Sequence, residues 1–419
     1  MKTEIAGASG QSDFVPLRSL IGKVQNSPAT TTDSRAPKST WPLLRLSRKV
    51  LRGIPYASKE IRSLISDHSP FFIARPRAVH IWRGAPCNAK CIMCEYGFLK
   101  GEDYRKRIHS VFTDDLMPRT LREIAQLCGR GTVVTYIAGE PTMSKALLDW
   151  VRQASALGLD FRFTTNGYLI DEAYAHRLAT AGVFNVGVSL ESIDPKINEV
   201  IRPYPNGTAI TMQAIEHLIK ARERLKTRFS INVKTVLTHL NLESFGEIVR
   251  YYGKRDGMMY TPQIYEPLEG TPAETVDLLY VKDLNRLEGV AADIRILKAS
   301  GYNIHVTEQG LRELVKLYRE GQKARFTSID KPMLMEDSEP VCNIGTDTLF
   351  IQNGEVKLCP WHPPIGRVPG GALTLEQIWK AEITRQVRQA TRDCRRLCNM
   401  SCLRRTPLVD KIKTFLAIA

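Results

Sequence analysis

From Ala78 onward the chain alternates between two hydrophobic periods. Short runs of β-branched and aromatic residues, "AVHIW", "TVVTYIAG", "DFRFTTNG", "VFNVGVSLE", "RFSINVKTVLT" and "MMYTPQIYEP", have the length and composition of strands. Between them lie "PRTLREIAQLCGR", "SKALLDWVRQASALG", "DEAYAHRLATAG", "AITMQAIEHLIKARERL" and "NLESFGEIVRYYGK", whose apolar positions recur every three or four residues, as on helices packed by one face. Strands joined through helices are parallel neighbours, because a parallel pair needs a crossover of helical length. Six strands with five intervening helices therefore predict a parallel α/β sheet. The count falls short of eight units, so an open or partial barrel is expected rather than a closed one. In either form, ligand-contacting residues belong in the loops after the strand C-termini.

The same pattern sets the domain boundaries. Residues 1–40, rich in Ser, Thr, Pro, Ala and Gly, read as a disordered lead-in. Residues 41–77 form a basic helical segment in which Leu44, Leu51 and Ile54 stand among Arg45, Arg48, Lys49 and Arg52. That segment suits a helix packed on the main domain with its basic face in water, or peripheral contact with an anionic membrane. Residues 78–267 are the α/β unit, a partial (β/α)6 TIM-type barrel, and residues 268–341 a helical connector. A different unit occupies residues 342–419. There Asn353-Gly354 separates two short alternating runs, a β-hairpin signal, and "LTLEQIWKAEITRQVRQAT" reads as a helix.

Charge and cysteines add chemistry to this frame. With 59 Lys and Arg against 44 Asp and Glu, the net charge is +15, which favours anionic partners: phosphorylated substrates, nucleic acid or an acidic membrane surface. No run reaches the length of a membrane-spanning helix, and "MKTEIAGASGQSD" has no signal-peptide pattern, so a cytoplasmic setting is expected. Nine cysteines in that setting point to reduced thiols and metal binding. Cys87, Cys91 and Cys94 fall within eight residues of a polar loop directly after the first predicted strand. A closed zinc site wants four ligands, and no fourth follows nearby.

The C-x3-C-x2-C spacing at this position resembles the radical S-adenosylmethionine (SAM) superfamily, and the likeness extends over roughly residues 75–267. It implies that Cys87, Cys91 and Cys94 hold three irons of a [4Fe–4S] cluster whose fourth iron is chelated by SAM. The missing ligand is then the cosubstrate. Reduction of the sulfonium would give a 5′-deoxyadenosyl radical able to abstract hydrogen from an unactivated C–H. Further motifs follow in order at predicted strand ends. "AGEPT" (residues 138–142) is similar to the family's GGEP motif, with Gly139 allowing close backbone approach and Glu140 accepting from the SAM ammonium. "TTNG" contributes Asn166, and "VSLES" contributes Ser189 and Glu191 toward the ribose or methionine part. Arg202 falls where a family arginine pairs with the SAM carboxylate. The chain departs from the common pattern at Met93, where many members carry an aromatic residue, at Ala138 for Gly, and at Glu191 for Asp.

Cys342, Cys359, Cys394, Cys398 and Cys402 form a second group, which looks like a SPASM/twitch extension. The longer two-cluster form needs a C-x2-C-x5-C-x3-C run that this chain lacks. The resemblance therefore implies one auxiliary [4Fe–4S] cluster, held by Cys342, Cys359 and two of the last three. Which two is left open. Cys128, on a predicted helix, reads as a structural thiol. A closed auxiliary cluster suits electron transfer and hence oxidation. A spare thiol, for which Cys402 is the candidate, suits hydrogen donation and epimerisation. Tyr265 and Glu266, with Gln263, end the sixth strand and are candidates for substrate contact, while His362 reads as a loop histidine. The expected partners are a small-molecule substrate, such as a carbohydrate, aminocyclitol or other natural product, and a reducing protein such as flavodoxin or ferredoxin. The competing readings are a maturase of a ribosomal peptide and a zinc-bearing nucleic-acid-binding protein. Neither a winged-helix module nor a nucleic-acid reader motif is visible in the sequence.

Overall fold

The structure, a computed structural model, describes residues 74–267, 270–324, 347–360 and 362–392. Cys342, Cys394, Cys398 and Cys402, and the basic segment up to residue 73, lie outside the described residues. The six expected strands are β1 (Ala78–Trp82), β2 (Val133–Ile137), β3 (Asp160–Thr165), β4 (Asn185–Ser189), β5 (Ser230–Leu237) and β6 (Met258–Ile264). Each pairs in parallel with its predecessor. After β1 the chain runs through α1 (Glu95–Phe98) and α2 (Gly101–Ile108) before α3 (Met117–Cys128). The crossovers that follow are α4 (Leu147–Ala156), α5 (Glu172–Ala181), the pair α6 (Pro195–Ile201) and α7 (Gly207–Leu225), and α8 (Ser244–Tyr252).

Local chemistry explains where these helices begin and end. Asp171 caps α5 by accepting the Tyr174 N–H, and Gly182 ends it in the left-handed conformation at φ 82°. The short α6 was not expected from the hydrophobic period, being too brief to show one. Asp194 caps it onto the Lys196 N–H, and Pro195 occupies its first turn. Its purpose in the fold is to present Arg202, which follows its last residue.

Beyond β6 come α9 (Ala273–Leu279), α10 (Leu284–Ala299) and α11 (Glu308–Ala324). Then β7 (Thr348–Gln352), β8 (Glu355–Lys357) and β9 (Gly366–Arg367) precede α12 (Leu375–Lys380) and α13 (Glu382–Arg392). The hairpin forms where Asn353-Gly354 predicts it, with both turn residues at positive φ, 48° and 85°. Its first strand lies parallel to β1, so the sheet runs β6-β5-β4-β3-β2-β1-β7-β8-β9 and stays open. Among the described residues no helix is long and apolar enough to cross a membrane.

The two faces of the sheet differ in chemistry. Alternate residues such as Val79, Ile81, Val134, Phe161 and Val186 join one buried core with Leu121, Trp150 and Leu178 of the surrounding helices. The opposite, concave face is polar. There Arg162 Nε donates to Thr135 Oγ1 at 2.7 Å, Lys234 Nζ to Thr164 Oγ1 at 2.8 Å, and Thr261 Oγ1 to Asn232 Oδ1 at 2.9 Å. On the outer side α11 is tied to the strand ends by Tyr318, whose hydroxyl donates to Leu237 O at 2.5 Å and accepts from the Tyr265 N–H at 2.9 Å. Replacing Tyr318 by Phe strands two buried backbone groups, so chemical denaturation should show a loss of about 1–3 kcal/mol. An unchanged unfolding midpoint would mean that water or side-chain rearrangement satisfies both groups.

Candidate active site

The cysteine loop leaves β1 and folds under the ends of its neighbours. Gly97 closes the turn: a Cβ there would lie 2.1 Å from Cys91 O. Cys94 N–H donates to Cys91 O at 3.1 Å, and Gly97 N–H to Cys94 O at 2.8 Å, which folds the thiol-bearing segment onto itself. The start of the loop is held from the other side by the hairpin, because Gly84 N–H donates to Asn353 Oδ1 at 3.0 Å. Cys91 is buried and Cys87 and Cys94 are half-buried. Burial pushes the Cys87 thiol up to about 12 and Cys94 up to about 11. Burial also raises Cys91, against the opposing pull of the Arg202 guanidinium.

Two buried carboxylates organise the surrounding strand ends. Glu140, after β2, is 3% exposed. Its Oε1 accepts from Thr142 N (3.0 Å), Thr142 Oγ1 (2.6 Å) and Thr165 Oγ1 (2.7 Å), and its Oε2 from Asn166 N (2.8 Å). Burial pushes this carboxyl up, and the four donors oppose that by favouring the charged form. The same loop presses on the cysteines: Glu140 N–H donates to Pro86 O at 2.9 Å, and a Cβ on Gly139 would stand 2.3 Å from Ala85 O. Asn166 completes the join by donating from Nδ2 to Asn88 Oδ1 at 2.7 Å.

Glu191, after β4, is fully buried. Arg202 holds its Oε1 through Nε at 2.8 Å and Nη2 at 2.7 Å, while the Val236 N–H reaches Oε2 at 2.6 Å. Arg202 also points Nη1 at Cys91 Sγ, 3.3 Å away. Burial disfavours the Arg202 charge, yet Cys91 and Glu191 outweigh it and raise its pKa. Asn198 Oδ1 accepts the Glu191 N–H at 2.9 Å, and Asn241 Nδ2 donates to Glu191 O at 2.9 Å.

The structure thus gathers Cys91, Gly139, Glu140, Asn166, Glu191 and Arg202 at neighbouring strand ends. Ser189 ends β4, in register with Lys234. Tyr265 is packed in the core, 1% exposed, and Glu266 follows it half-buried. Cys359 is buried beyond β8, and His362 donates its N–H to Cys359 O at 3.1 Å. Asn88, Thr142, Asn198 and Asn241 were not singled out from the sequence. Each is a common loop residue that acquires its role only when separate loops meet; for Asn88 alone, its place between two cysteines was a signal.

Comparison with known proteins agrees with this geometry. The family described as the radical SAM superfamily matches residues 84–252, which contain the cysteine loop and both carboxylate hubs. That segment of the chain is a radical SAM domain. Among its relatives are a probable GTP 3′,8-cyclase of Thermococcus kodakarensis, 25% identical over 44% of this chain and 55% of that protein, and the tungsten-containing aldehyde ferredoxin oxidoreductase cofactor-modifying protein of Pyrococcus furiosus, 27% identical over 46% and 52%. The chain spans little more than half the length of these two curated relatives. SuiB of Streptococcus suis bound to S-adenosylmethionine has the same fold at a TM-score of 0.52 and 17% identity, covering 75% of this chain and 68% of that one.

The cofactors of a radical SAM protein are a [4Fe–4S] cluster and SAM. The residues present fit them. Three thiols from one loop stand near enough to affect one another's ionisation. Among the described residues, no three His, Cys, Asp or Glu side chains converge on a single ion. Thiolates are the ligands an iron–sulfur cluster takes, each binding a different iron. Breaking the Glu191–Arg202 pair should be costly, since it leaves a buried carboxylate unpaired. Arg202→Met should destabilise the protein by about 3–5 kcal/mol in urea unfolding, and Arg202→Lys by less. Equal stability of Arg202→Met and the parent would show that the pair carries no such strain.

Proposed function

We propose that this radical SAM enzyme cleaves SAM reductively and uses the resulting radical to abstract hydrogen from a small molecule, giving oxidation or epimerisation. The observation that carries the reading is the clamp of the cysteine loop between Glu140 and Arg202. It fixes three thiols beside two buried carboxylates at the mouth of an open barrel. The cluster, when bound, supplies the electron that breaks the sulfonium C–S bond of SAM. The protein's part is to orient and exclude. Glu140 Oε1 is saturated by three donors, while Oε2 takes one among the described residues and keeps acceptor capacity for the SAM ammonium. Arg202 is committed to Glu191 and Cys91, so its proposed contribution is to hold the thiol loop and present positive charge near the SAM carboxylate. Ser189, Asn166 and Gly139 form the remaining proposed cradle, with Glu266 and Tyr265 at the end of β6.

In this reading Cys342, Cys359, Cys394, Cys398 and Cys402 supply one auxiliary cluster of the twitch type, with Cys402 the proposed spare hydrogen donor. Flavodoxin or ferredoxin is the proposed reductant and the cytoplasm the proposed setting, because free thiols persist there. SuiB is also known bound to its precursor peptide SuiA, which keeps a peptide substrate as the competing reading.

Full-length protein reconstituted with iron and sulfide under anaerobic conditions, then given SAM and dithionite, should release 5′-deoxyadenosine. Alanine at Cys87, Cys91 and Cys94 together should abolish that release and the brown colour of the N-terminal cluster. Undiminished release from the triple variant would sink the proposal. Once a substrate is found, product mass in heavy water separates the two outcomes. Oxidation removes two hydrogens, whereas epimerisation leaves the mass unchanged apart from one solvent deuterium at the inverted carbon.

A further inference from the structure

The turn after β3 is joined to the cysteine loop and carries a tyrosine whose hydroxyl is unused. Asn166 makes the join: its Nδ2 donates to Asn88 Oδ1 at 2.7 Å, and its Oδ1 accepts the Tyr168 N–H at 2.9 Å. One amide side chain thus ties Tyr168 to the residue that follows Cys87. The turn is held by α7, where Thr211 Oγ1 donates to Asn166 O at 2.9 Å. The Tyr168 ring stacks on Tyr204, with 4.0 Å between centres and 23° between planes. Tyr204 stands shortly after Arg202, in a segment that is also pinned to the loop. There Arg202 Nη1 lies 3.3 Å from Cys91 Sγ, and the Ile92 N–H donates to Ile201 O at 3.0 Å. The stacked pair therefore links two segments that each hold the thiol loop.

Gly207 makes room for this stack. A Cβ there would come within 3.1 Å of Tyr168 Oη and 3.1 Å of Tyr204 Cβ, so a larger residue at the start of α7 would crowd both rings. Tyr168 as a whole is half-buried, yet its hydroxyl is buried and has no hydrogen-bond partner among the described residues. Burial raises its pKa; Arg202 opposes the rise, and Cys91, Tyr204 and Cys87 add to it. The hydroxyl thus keeps its proton near pH 7, and two of the three thiols are among its electrostatic neighbours. A buried donor in this state is ordinarily met by a ligand or water. The Arg202 guanidinium carries donors alone and cannot accept the proton, which leaves sulfur as the acceptor the loop brings to this side.

We infer that the Tyr168 hydroxyl donates a hydrogen bond to a sulfur of the bound cluster, on its Cys87–Cys91 edge, and thereby raises the cluster's reduction potential. The inference rests on the reading of Cys87, Cys91 and Cys94 as the cluster ligands. Arg202 already gives Cys91 Sγ one charged donor, and Tyr168 supplies a neutral second one. Hydrogen bonds to the sulfurs are among the factors that set such potentials. The reduced cluster carries one more negative charge, so it gains more from a donor than the oxidised cluster does.

The test is a redox titration of the full chain loaded with its clusters, without SAM. It follows the electron paramagnetic resonance signal that alanine at Cys87, Cys91 and Cys94 removes. Tyr168→Phe keeps the ring and the stack and deletes only the donor. It should disfavour the reduced state about tenfold, a fall of about 59 mV for a one-electron couple. Tyr204→Phe also keeps the stack, and should leave the potential where it is. An unchanged potential in Tyr168→Phe, or an equal fall in Tyr204→Phe, overturns the inference. A fall seen only after SAM is added overturns it too, since the hydroxyl would then serve the cosubstrate. Should Tyr168→Phe take up no cluster, 3-fluorotyrosine at position 168 decides the matter. This stronger donor must raise the potential, and an unmoved or lowered value overturns the assignment. If the triple alanine variant removes no signal, the ligand reading itself fails. If it removes one that Tyr168→Phe leaves unmoved, only the hydrogen bond is refuted.

Discussion

Glu140 and Glu191 are buried where water cannot solvate them, and the rest of the barrel mouth is arranged around meeting that cost. An ionised carboxylate in such a place persists only with a full set of donors or a cation. Glu140 draws its donors from the ends of β2 and β3, and Glu191 draws the N–H of Val236 on β5 and the guanidinium that follows α6. Each carboxylate therefore fixes the positions of loops that have no other reason to meet. The cysteine loop is attached to both: through Pro86 and Asn88 on one side, and through Arg202 and Cys91 on the other.

That arrangement divides labour within the sheet. The outer face is apolar and is consumed by helix packing, so its residues are fixed by shape and transfer energy. The concave face is spared from packing and can carry Arg162, Lys234, Thr164 and Asn232, groups that would be costly in a closed core. The sheet stays open, and β7 extends this face beside β1. The turn of the C-terminal hairpin reaches the start of the cysteine loop through Asn353, whose Oδ1 also accepts from Ser110 at 2.8 Å. The unit read from the sequence as separate is thereby bonded to the loop that bears the thiols.

The strands, the order in which they pair and the cysteine triad were legible along the chain, because each depends on short-range regularity. Period-two runs give strands, helical crossovers make them parallel, and three thiols in one loop announce a metal centre whatever the rest of the fold does. Gly139 was also legible as a point of close approach, though what approaches proved to be the backbone at Ala85 and Pro86. The hairpin at Asn353-Gly354 followed from two residues that tolerate positive φ.

Other features depended on contacts between residues far apart in sequence. Arg202 looks like any charged residue after a short helix until Glu191 and Cys91 are found on either side of it. Asn198 and Asn241 carry no pattern, since an amide in a loop gains meaning only from the partner the fold brings to it. Lys234 and Thr164 are the clearest case. They are 70 positions apart and meet because β3 and β5 flank β4, and because Gly187 has no side chain to keep them apart. Sequence alone determined which thiols stand together in one loop and which residues could form a sheet, since those follow from local spacing and period. Only the tertiary structure decided which charges meet, as Arg202 meets Glu191 and Cys91, because electrostatic neighbours are set by distance through space.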